Sequence, residues 1–150
     1  NRTGWLKGSG IIRIDPPNDV IPVTNASDFA STALKFKGAS FMLNGLTSLG
    51  IDAPGLVYIS ARINGVDLPI TLEGQLNSGE KIPLERVRTG DLVFLSDTGD
   101  NGEESITCVG VSIDGSSYIY AGRKTGYAAI GELYRENPDG IAVTARRIFN

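Results

Sequence analysis

Between Asn25 and Gly38 the apolar residues Phe29, Ala30, Ala33, Leu34 and Phe36 recur near helical spacing, behind Ser27 as an N-capping residue type and before a stop at Gly38. The pattern predicts a first helix. A second begins at Asp52, because Asp caps well, Pro54 is tolerated in the first turn, and Leu56, Ile59, Ser60 and Ile63 continue one face as far as Gly65. After that the period shortens. Residues 92–96, 106–114, 118–121 and 141–148 form β-branched or aromatic runs, separated by the turn-rich stretches 97–102 and 114–117. Helices first and strands after predict an α+β domain over residues 25–150, with N-terminal helices packed on an antiparallel sheet. Residues 1–24 read differently: short apolar pieces around glycines end at Asp15-Pro16-Pro17-Asn18-Asp19, a turn and linker signal that sets them apart as an N-terminal segment.

Composition narrows the chemistry. With 41% hydrophobic and 21% charged residues among 150, the chain is too apolar for disorder and too polar for a membrane protein. The 14 Lys and Arg against 17 Asp and Glu give a formal charge of −3 without a long basic run, which argues against nucleic acid as a partner. There is no histidine. That excludes Ser-His and Cys-His nucleophilic pairs, imidazole bases and His-containing zinc sites. The one cysteine, Cys108, has no partner for an internal disulfide. No leader and no apolar run of about 18 residues is visible, and a chain opening on Asn1 is expected to be part of a longer protein. No cofactor is implied.

Two acidic groupings invite chemistry and have plain alternatives. Asp97, Asp100, Glu103 and Glu104 offer hard oxygen ligands beside glycines, but their spacing does not match a calcium-binding EF-hand loop, so a solvated hairpin tip is expected and no metal site. Asp52, Asp67, Glu73 and Asp91 cannot be placed as a converging carboxylate pair; Asp52 reads as a helix cap and Asp91 as a turn residue after Gly90.

Several stretches in order carry a resemblance. Residues 38–45 (Gly-Ala-Ser-Phe-Met-Leu-Asn-Gly) are similar to a G-x-P-Y-x-W-G-G segment, and residues 50–57 (Gly-Ile-Asp-Ala-Pro-Gly-Leu-Val) to a G-x-D-C-S-G-L-V helix start. Leu68-Pro69 and Gln75 follow, then Gly90-Asp91-Leu92-Val93-Phe94 resembles G-D-L-V-F and residues 107–113 resemble x-H-V-G-I-Y-I. These are motifs of the NlpC-type family of papain-like cell-wall cysteine peptidases. The resemblance spans roughly residues 27–148 and implies a papain-like fold.

In active members a Cys at the helix start is the nucleophile, a His on the facing strand the base, and a polar residue on the next strand its orienter. Here Ala53, Cys108 and Tyr120 stand at those positions, and Phe41 replaces a Tyr that assists the oxyanion. Acyl transfer needs an activated nucleophile with a base in reach, so the resemblance implies a pseudo-enzyme. Strand alternation places Cys108 with Gly110 and Ser112 on one face and Val109, Val111 and Ile113 on the other, bordering the former cleft. Cys108 is then either a displaced nucleophile or a small buried hydrophobe, the latter being favoured without a base.

Tyr118, Tyr120, Arg123, Lys124 and Tyr127 combine aromatic faces with cations near the expected cleft wall, either as a ligand surface for a sugar face or peptide carboxylate or as ordinary edge-strand residues. Thr3-Gly4-Trp5-Leu6 is similar to the closing strands of a bacterial Src-homology-3-like domain. The function implied is binding of cell-envelope material, the peptidoglycan peptide, at an extracytoplasmic location. Two alternatives stay open: a structural or protein-partner domain with a closed cleft, and a residual hydrolase using Cys108.

Overall fold

The computed structural model describes residues 25–150. The N-terminal segment 1–24, with its Src-homology-3-like resemblance, lies outside the described residues. The first helix, α1 (Ala26–Leu34), is capped by Asn25 and not by Ser27, because Asn25 has the extended backbone of a cap and its Oδ1 accepts the Asp28 N–H at 2.8 Å. Ser27 therefore lies inside the first turn. Phe29, Ala30 and Ala33 form its buried stripe, and a left-handed Gly38 (φ +86°) ends the segment after α1.

A small hairpin, β1 (Leu46–Thr47) with β2 (Gly50–Ile51), leads directly into α2 (Ala53–Ile63). Asp52 caps α2 as its type predicts, its Oδ1 accepting the Gly55 N–H at 2.8 Å. The buried face differs from the expected one: Leu56, Val57, Ser60 and Ala61 point inward, whereas Ile63 is exposed at the helix end. A short helix α3 (Leu72–Leu76) follows.

The sheet has six strands: β3 (Glu80–Ile82), β4 (Leu92–Thr98), β5 (Glu104–Ser112), β6 (Ser117–Ala121), β7 (Ala128–Glu132) and β8 (Ile141–Arg147). All neighbours are antiparallel, in the order β3-β8-β4-β5-β6-β7. Four strands stand where the residue pattern puts them, and the two outer ones, β3 and β7, carry little apolar alternation to announce them. Because β7 closes that side, β6 is an interior strand and its tyrosines are not edge residues. Leu92, Val93, Phe94 and Leu95 on β4 are all fully buried, so this strand is covered on both faces. The α+β expectation holds, with α2 packed on β5 and α1 on α2.

Asp91 does more than turn the chain after Gly90. Its Oδ1 accepts the Arg147 Nε–H at 2.9 Å and its Oδ2 accepts an Arg147 Nη2–H at 2.7 Å, so the entry to β4 is clamped to the end of β8. The same carboxylate accepts the Arg88 N–H at 3.0 Å, and Arg147 donates onward to the Arg86 carbonyl at 2.8 Å.

Candidate functional site

A cleft of about 980 Å³ opens between the start of α2 and the sheet. One wall is apolar, made by Phe41, Leu43, Leu46, Pro54, Ile70 and Leu72; the other is charged, made by Asp97, Asp100, Arg123 and Lys124. Ala53 and Cys108 both line it, so the helix-start position and the facing strand position meet in one groove. The junction behind Ala53 is tight. Asp52 accepts the Asn44 N–H at 2.7 Å with the oxygen not used by the cap, which holds the left-handed Asn44 (φ 59°) against α2. A β-carbon on Gly55 would lie 2.2 Å from the Gly45 carbonyl oxygen, so only glycine admits this approach. Gly55→Ala is expected to lower the unfolding free energy by about 1–3 kcal/mol, read by urea denaturation, and an unchanged midpoint would contradict the packing described.

The buried Gln75 of α3 donates from Nε2 to the Pro54 and Pro69 carbonyls, each at 2.9 Å, and so ties the apolar wall to the first turn of α2. On the opposite side a bulge follows Leu95: Leu95 pairs with Cys108 and Ser96 with Ile106, which leaves Thr107 as the extra residue. Adjacent residues Thr107 and Cys108 thereby both reach the cleft.

Cys108 is nearly fully buried, and its Sγ donates weakly to the Val109 carbonyl at 3.9 Å. Burial first, and then the charge of Asp139, push its thiol up from 9.0 to about 12; Asp52 adds to the rise and the contact with Val109 opposes it. Among the described residues no side chain acts on this thiol with the positive charge that would activate it.

Tyr118 is 0% exposed and Tyr120 2%, and neither lines the cleft. The Tyr118 hydroxyl accepts from Asn137 Nδ2 at 2.8 Å, and burial raises its pKa above the usual value. The Tyr120 hydroxyl pairs with Thr125 Oγ1 at 3.1 Å, and its burial likewise raises its pKa. Tyr127 is half-exposed and stands outside the cleft lining. Of the five residues named from sequence for ligand contact, the cleft brings together Arg123 and Lys124.

Asp139 is a cleft residue that the sequence pattern did not single out. It is buried, and its two oxygens accept the Lys124 N–H at 2.7 Å, the Thr125 N–H at 3.0 Å and the Thr125 hydroxyl at 2.6 Å. The turn carrying Arg123 and Lys124 is thus pinned to the carboxylate before Gly140. Lys124 Nζ in turn contacts Asp97 Oδ2 at the base of the β4–β5 hairpin. The acidic tip of that hairpin, residues 99–103, is closed by its own backbone and Asn101 side-chain bonds. Among the described residues no cluster of His, Cys, Asp or Glu is arranged to hold a metal, and no helix is long and apolar enough to cross a membrane.

An N-terminal helix presenting its first turn to an antiparallel sheet across a groove defines a papain-like domain. The model of the NlpC/P60 family matches residues 38–144, and the chain belongs to that family. An NlpC/P60 family protein from Bacillus cereus superposes with a TM-score of 0.74 at 25% identity, covering 87% of this chain and 42% of that one. The NlpC/p60 domain of the peptidoglycan hydrolase SagA shares the fold with a TM-score of 0.66 at 22% identity, over 82% of this chain and 98% of that domain. In sequence, the chain is 28% identical over 129 residues to the gamma-D-glutamyl-L-lysine dipeptidyl-peptidase of Bacillus subtilis, covering 82% of this chain and 43% of that protein. It is 33% identical over 92 residues to the murein DD-endopeptidase MepS/murein LD-carboxypeptidase of Escherichia coli K12, covering 61% of this chain and 46% of that protein. The chain spans less than half the length of these curated relatives.

Proposed function

We infer that this domain is a non-catalytic member of its family that binds peptidoglycan stem peptide in an open cleft, outside the cytoplasm. One observation carries the reading: the cleft is open and built on the peptidase plan, yet the residue at its helix start is Ala53 and the chain contains no histidine to act as base. The relatives named for gamma-D-glutamyl-L-lysine and murein cleavage supply the ligand class. An apolar wall opposite a charged one suits a peptide that carries both aliphatic stems and ionised ends.

A structural role with a closed cleft is disfavoured by about 980 Å³ of open groove. A hydrolase using Cys108 is disfavoured by the burial and raised pKa of its thiol.

Purified protein is expected to leave soluble muropeptides intact in a chromatographic cleavage assay while giving heat on calorimetric titration with the same fragments. Ala53→Cys alone stays inert, because the new thiol still lacks a base, whereas Ala53→Cys with Cys108→His recovers trace cleavage. Cleavage by the unmodified protein that disappears in Cys108→Ala overturns the reading, and so does an absence of heat at millimolar ligand.

A further inference from the structure

The charges of the cleft do not match a simple anion receptor. Four carboxylates line it, on Asp52, Asp97, Asp100 and Asp139, against two cations, Arg123 and Lys124. Asp52 and Asp139 are buried, and their carboxylate oxygens are taken up by backbone N–H groups. Asp139 also holds the backbone of Lys124, and Tyr120, Thr125 and Asp139 form one continuous hydrogen-bonded chain behind the turn. The turn is therefore rigid at Lys124, and the side chain of Lys124 meets Asp97 across the cleft rim. Arg123 is exposed and has no ion-pair partner among the described residues.

From this arrangement, and resting on the stem-peptide reading above, we propose that Asp97 is a specificity-determining residue: by occupying Lys124 it leaves Arg123, among the described residues of the cleft, as the single cation open to a ligand carboxylate, so the cleft takes a peptide with one carboxylate at that end and rejects a second. A first carboxylate finds a guanidinium fork able to take it through two parallel hydrogen bonds. A second meets a Lys124 already neutralised, with Asp97 and Asp100 on the same wall. Like charges at that range repel even when water screens them. The Asp139 anchor makes the selection a property of the scaffold, because Lys124 cannot leave Asp97 by swinging the turn as a whole.

The test is calorimetric titration with two probes, γ-D-glutamyl-L-lysine with both carboxylates free and the same peptide with one carboxylate amidated. The amines are the same in both, so only one negative charge differs. The wild-type protein is expected to bind the amidated peptide about three- to tenfold more tightly than the free one. In Asp97→Asn the two affinities come within about twofold, chiefly because the free peptide gains once Lys124 is released. Lys124→Gln leaves Asp97 uncompensated and widens the preference, a charge-dependent response that a purely structural role would not give. Equal binding of both probes by the wild type, or an unaltered ratio in Asp97→Asn, overturns the proposal and leaves the binding function standing. Silence of every variant toward both probes overturns the binding function and the proposal with it. A wild type that binds neither probe overturns the proposal too, even if Asp97→Asn binds the free peptide, because the unmodified cleft should take the amidated one.

Discussion

Replacing Asp91 with alanine is expected to lower the free energy of unfolding by about 3 kcal/mol, the lower end of the range seen when one partner of a buried ion pair is removed. The carboxylate of Asp91 is buried, 3% exposed, and the Arg147 side chain that meets it is partly buried at 14%. The geometry is bidentate, with both carboxylate oxygens engaged by one guanidinium. Without Asp91 that guanidinium keeps the Arg86 carbonyl and loses its charge partner, and the Arg88 N–H loses its acceptor. The midpoint of thermal unfolding then falls by roughly ten degrees or more. Asp91→Ala combined with Arg147→Met is expected to be less damaging than the two single losses summed, because the double variant strands no charge. A loss below about 1 kcal/mol in urea titration would show that the clamp acts only as a surface pair.

The second large effect is on the thiol. With a pKa of about 12 in the fold against a usual value of 9.0, Cys108 carries about a thousandfold less thiolate near pH 8 than an unperturbed cysteine. Iodoacetamide labelling of the native protein is expected to be slower by at least that factor, and to become complete once guanidinium unfolds the chain. Rapid native labelling would instead reveal an accessible nucleophile. The same shift has a pH signature whose sign is fixed: the folded pKa is raised, so the stability tied to the neutral thiol is full below about pH 9 and is lost as pH climbs from there towards 12. Cys108→Ala should flatten this alkaline decline. Asp139→Asn should bring the thiol pKa down, because the Asp139 charge is the second cause of its rise.

The helix at Asp52 was legible because its signals are local: a capping carboxylate, a proline in the first turn and a helical apolar face lie within a few residues. The motif order made the papain-like fold legible as well. What escaped the pattern is what depends on distant partners. Asp139 sits in a proline-containing turn with nothing nearby to mark it, and its bonds reach back 14 and 15 residues to Thr125 and Lys124. β7 runs Ala-Ala-Ile-Gly-Glu, without the β-branched enrichment that marks a strand, and missing it left β6 looking like an edge. That single omission accounts for Tyr118 and Tyr120 being weighed as either ligand-surface or edge-strand residues, when their rings are buried in the core. The cap of α1 moved from Ser27 to Asn25 because both residue types cap well, and sequence alone does not choose between them.

The position of β8 in the sheet bears on how the chain reaches this fold. The last of the described strands is an inner one, pairing with β4 on one side and β3 on the other. A nascent chain emerging from the ribosome therefore carries two open strand borders, β3 and β4, until residues 141–147 are free to insert between them. Such late, long-range closure slows folding and leaves sticky backbone on display in the interim. Insertion of residues 141–147 is thus the step that joins β3 to β4 and makes one continuous sheet of them.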